Sequence, residues 1–315
     1  MIAPRIRALV SWGCALLVLI LLAATLSKEG DKLARLAAIA PWDLLTLLML
    51  CLLLFMPNGL IRRAMAAHFG VRLQFVEWYG MILFTNLLNL VLPARADMLF
   101  TAGYLKRMHG LSLAHFASMT YGNAVLFASV MVVEALLGLG YIAWDSGDWS
   151  ARVLGFAAVM GGLALALLLL PVLPVGGGGR LANGIRRALD GWHSLRQAPR
   201  LLPQLARYMV LGSLIFAAWM YMSYRALGFE VELARVLVAG VVVQLSFLVV
   251  LTPGNLGIRE ALTGFVSQLI GLGFAEGVIV TLLQRGVSLL VFSVVGGLFG
   301  VMLSRALHRA GEAPP

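Results

Sequence analysis

The stretch that decides the fold is Thr252-Pro253-Gly254-Asn255-Leu256-Gly257-Ile258-Arg259-Glu260. It joins two apolar runs, residues 236–252 and 258–272, and it ends in an arginine next to a glutamate. Proline removes an amide donor and stops the incoming helix, while glycine lets the backbone bend sharply. The stretch therefore predicts a helical hairpin that turns within an apolar environment and has an arginine at its turn.

The composition identifies that environment as a lipid bilayer. Of the 315 residues, 61% are hydrophobic and 12% are charged, whereas about one quarter of the residues of a water-soluble domain are charged. A crossing helix takes about 20 apolar residues, and apolar runs of this kind fill the chain. We therefore predict an all-α polytopic membrane protein with a single membrane domain over residues 1–315.

The net charge of +10 does not indicate nucleic-acid binding, because the Arg and Lys residues are scattered between the apolar runs. In such positions they act as topology signals and as contacts for anionic lipids. Cys14 and Cys51 lie inside apolar runs, where cysteine behaves as a small hydrophobic residue. The five histidines show no metal-ligand spacing, so we expect neither a metal nor a cofactor.

The number of crossings follows from the charges between the apolar runs. The long runs lie at about 8–26, 42–61, 79–93, 113–143, 153–172, 208–227, 236–252 and 277–304. If all of them crossed from a cytoplasmic amino terminus, the linker between Val175 and Arg207 would lie outside. That linker holds six arginines and a single acid, Asp190, and the positive-inside rule excludes it from the outer face.

Two re-entrant hairpins remove this conflict. The run 79–93 would enter from the cytoplasm, break at Pro93 and return through 97–105, while the second hairpin would enter from the outside. About six helices then cross the membrane in an inverted-repeat arrangement. The predicted segments are a first helix and outer loop at 1–41, a first repeat at 42–143 with its hairpin at 79–105, a connecting helix and cytoplasmic linker at 144–207, and a second repeat at 208–305 with its hairpin at 236–272.

The charge balance of this topology is that of a bacterial inner-membrane protein with both termini in the cytoplasm. The cytoplasmic segments hold 15 Lys/Arg and 3 Asp/Glu, and the outer segments hold 6 Lys/Arg and 8 Asp/Glu. Within the linker, apolar residues recur at helical spacing as far as Trp192, with arginines between them. This pattern predicts an interfacial amphipathic helix held by anionic lipids, with an interaction site as the alternative.

Two glycines in the last helix, Gly296 and Gly300, form a GxxxG pattern. Such a pattern lets two helices approach closely. It predicts either the face of a homodimer or close packing within one chain.

Three arginines lie at membrane depth in this topology: Arg95, Arg259 and Arg285. An arginine at the centre of a membrane helix costs about 2.5–3.5 kcal/mol, so it persists there mainly with a partner or a function. Arg95 and Arg259 stand at the two hairpin turns. Arg285 lies about 14 Å along the final helix from Glu276, at 1.5 Å per residue, which is near the midplane.

The two turns share a design that suits an anion. Each outgoing half-helix begins within the membrane, where its unpaired N–H groups and the positive end of its dipole meet an arginine. Phosphate is the anion that such sites commonly hold, and paired helix breaks in two halves point to a transporter site at the midplane. The candidate substrate-binding residues are Asn89, Arg95, Asp97, Glu134, Asn255, Arg259, Glu260 and Arg285, and the helix-breaking residues are Pro93, Pro253, Gly254 and Gly257.

A structural interpretation of the same residues is also open. Asp97 and Glu260, each in the first turn of its half-helix, would cap that helix and pair with the neighbouring arginine. Glu134 is the counter-ion that we predict for Arg285, or it is protonated and bonded to a neighbouring helix. Replacement of an arginine should weaken anion binding in the first interpretation and destabilise the fold in the second.

The residues Pro253 to Ala261 resemble the P-G-G-L-G-V-R-E-A signature of the lysylphosphatidylglycerol synthase transmembrane-region family, the flippase-like integral membrane proteins. Asn86 to Asp97 resembles the first-half signature of that family, and Leu282 to Arg285 resembles the arginine of its last helix. The resemblance extends from about Leu45 to Leu303. Family members usually follow the first arginine with a glycine and an acid, whereas this chain has Ala96-Asp97-Met98.

The resemblance implies a lipid flippase or lipid transporter that acts on membrane lipids, as a stand-alone member without the soluble aminoacyl-transferase domain. Stand-alone members include a branch associated with hopanoid biosynthesis. Two other functions remain open from the residues. One is an intramembrane enzyme acting on a lipid phosphate, which His109 or His115 next to Arg95 would favour. The other is a small-anion secondary transporter, which the arginines suit equally well.

Overall fold

The computed structural model describes residues 35–36, 38–91, 96–146, 190–245 and 255–312, and all regular structure within these ranges is helical. In chain order the α-helices of more than ten described residues are α1 Pro41–His68, α2 Met81–Val91, α3 Ala96–His109, α4 Leu113–Ser146, α5 Leu201–Ala226, α6 Leu233–Leu245, α7 Ile258–Leu269, α8 Phe274–Val291 and α9 Gly297–Glu312. Two π-helical turns, Val76–Gly80 and Phe292–Gly296, precede α2 and α9. The all-α prediction is confirmed.

Four helical segments of the described chain are long and apolar enough to cross a membrane. They correspond to four of the six crossings that we predict, and the other two, at 8–26 and 153–172, lie outside the described residues. The protein is therefore a multi-pass membrane protein. The four segments are Pro41–His68, Leu113–Gly138, Leu201–Ala226 and the continuous stretch Phe274–Arg309.

The other labelled helices, α2, α3, α6 and α7, are short. They occupy the positions of the two predicted hairpins. They contain 11, 14, 13 and 12 residues, or about 16–21 Å at 1.5 Å per residue. A hydrocarbon core of about 30 Å is longer than any of them. The turns themselves, residues 92–95 and 246–254, lie outside the described part of the chain.

The chain divides into two compact units. The first unit comprises Met1–Phe55, Gly80–Phe100 and Ser213–Met302, so it contains all of α2, α6, α7 and α8. The second unit comprises Met56–Tyr79, Thr101–Gly212 and Leu303–Pro315. It contains most of α3 and all of α4.

Close helix packing in the first unit depends on glycine. A Cβ added at Gly277 of α8 would lie 2.7 Å from the Cα of Gly264 in α7, so these two helices touch through their backbones. A Cβ at Gly296 would likewise lie 2.7 Å from the carbonyl oxygen of Leu83 in α2, and Gly300 faces the ring of Phe84. For the GxxxG pattern, the prediction of close packing within one chain is therefore confirmed.

The second unit holds the end of the predicted amphipathic linker. Residues 190–197 are helical, and within them Trp192 and Leu195 are buried. The indole of Trp192 lies against α4, where a Cβ on Gly122 would come within 2.7 Å of it. The hydroxyl of Ser194 forms a 2.8 Å hydrogen bond with His68 of α1. Trp192 therefore packs on the protein instead of facing lipid as the interfacial prediction expects, because Gly122 leaves room for its ring.

Candidate functional site

The amino end of α7 begins at a turn that only particular residues can form. Asn255 has a φ of 52° and Gly257 a φ of 84°, both in the left-handed region. Glycine adopts this region without strain, and asparagine is the side chain that tolerates it best after glycine. Asn255 stands where the family signature has glycine, and both residue types can adopt this left-handed conformation.

Glu260 caps α7. One oxygen of its carboxylate, Oε2, accepts a 2.7 Å hydrogen bond from the backbone N–H of Gly257, and the side chain is 1% exposed. A carboxylate at this position also compensates the positive end of the helix dipole. For Glu260, the capping part of the structural interpretation is correct. The carboxylate of Glu260 is the negatively charged group at the amino end of α7.

Arg285 of α8 is tied to the same turn. Its Nε forms an ion pair with Oε1 of Glu260, and its Nη2 donates a 3.0 Å hydrogen bond to the backbone carbonyl of Asn255. The close approach of α7 and α8 brings these groups together. We predicted Glu134 as the counter-ion of Arg285, and the structure gives it Glu260 in that role. Glu134 lies partly buried on α4, in the second unit.

Arg259 has a different environment from Arg285. Its Nη2 donates a 2.6 Å hydrogen bond to the side-chain oxygen of Gln284, a neutral amide. Its guanidinium carbon lies 5.5 Å from the ring centroid of Trp219 and 6.0 Å from that of Phe216, within the range of cation–π attraction. The structural interpretation paired Glu260 with this neighbouring arginine, whereas the salt bridge joins Glu260 to Arg285.

A buried hydrogen-bond chain fixes Gln284. Its Nε2 donates to Oγ of Ser223 at 3.2 Å, and that hydroxyl donates in turn to the backbone carbonyl of Trp219 at 2.7 Å. Gln284 and Ser223 are 2% and 0% exposed. Gln284, Ser223 and Trp219 are not among the site residues predicted from the sequence. The available signal was a polar side chain inside an apolar helix directly before Arg285.

A second series of buried hydrogen bonds extends along α7. Thr263 donates to the backbone carbonyl of Arg259, and Ser267 donates to that of Thr263, each at 2.8 Å. The hydroxyl of Ser267 also bonds with that of Tyr224 in α5. All three hydroxyl side chains are buried, so polar groups continue along α7 from Arg259 for two turns.

The other predicted site residues lie on other helices or outside the described residues. Asn89 lies partly buried on α2, and Asp97 lies in the first turn of α3, where we expected it. Arg95 lies outside the described residues, as do Pro93, Pro253 and Gly254. The structure thus assembles Asn255, Arg259, Glu260 and Arg285 into one cluster, with Gly257 supplying the turn.

The histidines of the enzyme alternative have other partners. His109 bonds with Oε1 of Glu77 at 2.8 Å, and the same oxygen accepts from Tyr104 at 3.2 Å. His115 stacks on Phe69 with ring centroids 4.5 Å apart. Among the described residues, no three His, Cys, Asp or Glu side chains group as metal ligands.

Comparison with known proteins identifies a family that matches most of the chain. The profile of the family described as the lysylphosphatidylglycerol synthase TM region matches residues 6–296, which is nearly the whole chain. No curated protein matches the chain. The matched region includes both short-helix pairs and the cluster at Arg259. The chain therefore belongs to the lysylphosphatidylglycerol synthase transmembrane-region family.

Proposed function

We propose that the protein is a lipid flippase or lipid transporter that moves a phospholipid or a lipid-linked anionic headgroup between leaflets. The observation that carries the proposal is Arg259, whose guanidinium is oriented by Gln284 at the start of α7, among apolar helices. A guanidinium beside the amino end of a helix is the kind of group that binds phosphate. Family membership supports a lipid as the substrate.

The transport path rests on the two pairs of short helices. We propose that α2 with α3, and α6 with α7, form re-entrant hairpins of opposite orientation in an inverted repeat. The length of α7 supports this, since its 12 residues lie between described turns and are too few to span the hydrocarbon core. Substrates of such proteins bind where the broken helices meet, and Arg259 lies at the start of α7.

The proposed location is the bacterial inner membrane with both termini in the cytoplasm. The exposed charges of the second unit support a cytoplasmic face there. Apart from Asp190, the exposed charged side chains described in that unit are basic: Arg63, Arg72, Lys106, Arg107, Arg196, Arg200, Arg207, Arg305 and Arg309.

The test is lipid movement in vesicles that contain the purified protein. Fluorescent phosphatidylglycerol in the inner leaflet becomes accessible to a membrane-impermeant quencher only after it has crossed. We expect the wild type to accelerate crossing and Arg259→Gln to reduce the protein-dependent rate at least tenfold while its melting temperature stays close to that of the wild type. Arg235→Gln, at an exposed arginine of the same unit, is the matched control and should behave as wild type.

Three results would contradict the proposal. Wild-type vesicles that move no lipid above the protein-free background would exclude a flippase under these conditions. Vesicles that take up inorganic phosphate through the protein and move no lipid would favour the small-anion transporter. Loss of lipid movement in both arginine variants would mean that Arg259 has no special role.

A further inference from the structure

We propose that Glu77, Tyr104 and His109 form a clamp that binds a proton and then holds the turn before α2 more firmly against the last turn of α3. All three side chains lie in the second unit. Glu77 belongs to the π-helical turn Val76–Gly80, and Tyr104 and His109 belong to the end of α3. The inference goes beyond the proposed function, because its ligand is a proton.

The carboxylate of Glu77 bonds in two directions. Its Oε2 accepts a 2.8 Å hydrogen bond from the backbone N–H of Gln74, as in a capping box, and so fixes the turn. Its Oε1 accepts from the hydroxyl of Tyr104 at 3.2 Å and bonds with Nε2 of His109 at 2.8 Å. Glu77 is 9% exposed, so its carboxylate relies on these partners in place of water.

The ring of His109 can take up a proton without breaking the bond to Glu77. An ionised carboxylate only accepts hydrogen bonds, so Nε2 of His109 carries the hydrogen in that bond. Nδ1 is then the nitrogen that binds or releases a proton. The His109 side chain is 21% exposed, which lets the ring exchange this proton with water.

Two features make the clamp stronger when His109 is charged. An imidazolium forms a charge-assisted hydrogen bond with Glu77, which is stronger than the bond of a neutral imidazole. His109 is also the last residue of α3, where the negative end of the helix dipole attracts a cation. The added strength is present at low pH and is lost as the pH rises through the range, about pH 5–8, in which histidine changes its charge.

Charged groups on the neighbouring elements keep their charge over this range. Lys106 and Arg107, in the last turn of α3, are exposed, so water and salt screen them. Helix α1 packs on the π-helical turn at Gly59, and its next turn carries the partly buried Arg62. Lysine and arginine side chains stay protonated well above about pH 8. A response within the histidine range therefore belongs to His109.

The location of the clamp gives it a consequence for transport. In the proposed topology, both ends of the first pair of short helices lie on the cytoplasmic side, so the clamp responds to the pH of the cytoplasm. Release of the clamp would free the ends of this pair. Alternating access in inverted-repeat transporters proceeds by movement of one repeat against the other.

The experiment measures the distance between two spin labels by pulsed electron paramagnetic resonance, on the protein in nanodiscs. After Cys14 and Cys51 are replaced, labels are attached at Arg72→Cys, an exposed position before the turn, and at Gly103→Cys of α3, where a Cβ meets nothing within 4 Å. We expect one short distance to dominate at about pH 5.5, and the fraction of longer distances to rise at least fivefold at about pH 8.5.

Three substitutions assign the response to its residue. His109→Gln can still donate to Glu77 but cannot take up a proton, so it should give the same distances at both pH values. Tyr104→Phe removes a hydrogen bond and no proton site, so it should raise the longer fraction at both pH values and keep the response. His308→Gln, at an exposed histidine of the same unit, is the matched control and should behave as wild type.

Two outcomes would overturn the inference. Equal distances in the wild type at the two pH values would show that the cluster is only structural. A response that persists in His109→Gln would assign the proton to another group. If His109→Gln does not fold, Glu77→Gln replaces it, and a full response in that variant would overturn the inference in the same way. Lipid movement is not measured, so these outcomes leave the proposed function to its own test.

Discussion

At the scale of single residues, the two described arginines of the site have different roles. Arg285 contacts a carboxylate and a backbone carbonyl, and both of these groups belong to the turn that starts α7. Arg259 contacts a neutral amide and two aromatic faces. The first set of contacts holds the turn, and the second set orients the guanidinium for which we propose anion binding.

This difference predicts that Arg285→Gln destabilises the protein more than Arg259→Gln does. Removal of Arg285 leaves the carboxylate of Glu260, which is almost completely buried, without its ion-pair partner. The loss of one partner from a buried pair costs about 3–5 kcal/mol. Thermal unfolding in detergent should therefore show a much lower midpoint for Arg285→Gln, and equal midpoints for the two variants would contradict these roles.

At the scale of helices, the sequence predicted the elements better than it predicted their contacts. Glycine acts on its own backbone, so the turn at Gly257 that starts α7 could be predicted from the sequence. The partner of Arg285 was not, because Glu134 and Glu260 were both acids at membrane depth. The choice between them depends on which helices are neighbours, and that depends on Gly264 and Gly277.

The α7–α8 contact gives a prediction with a control on the same helix. Gly277→Ala would place its Cβ 2.7 Å from the Cα of Gly264, and overpacking of this kind costs about 1–3 kcal/mol. A Cβ at Gly286, also on α8, meets nothing within 4 Å. Gly286→Ala should therefore be neutral or stabilising, since alanine is the better helix former by about 1 kcal/mol.

The readouts are the melting temperature and phosphatidylglycerol binding. Separation of α7 from α8 would disturb the Glu260–Arg285 pair, so Gly277→Ala should lower both. If Gly277→Ala behaves as Gly286→Ala does, the backbone contact between the two helices is not what holds the cluster together.

At the scale of the whole molecule, the proposed topology can be tested with single cysteines after Cys14 and Cys51 are replaced. Ser194 and Glu232 are both exposed, and the two topologies place them on opposite faces. With two re-entrant hairpins, a membrane-impermeant thiol reagent added outside labels Glu232→Cys and does not label Ser194→Cys. Eight full crossings predict the reverse, so labelling at residue 194 from outside would exclude the hairpins.

The central claim is that Arg259 holds the phosphate of a lipid, and the most direct test is a structure of the protein in phosphatidylglycerol nanodiscs. We predict density for a lipid whose phosphate oxygens lie within hydrogen-bond distance of the Arg259 guanidinium. In Arg259→Gln nanodiscs prepared in the same way, that density should be absent while the ion pair between Glu260 and Arg285 remains. Lipid density confined to the outer surface of the wild type, with none at Arg259, would contradict the claim.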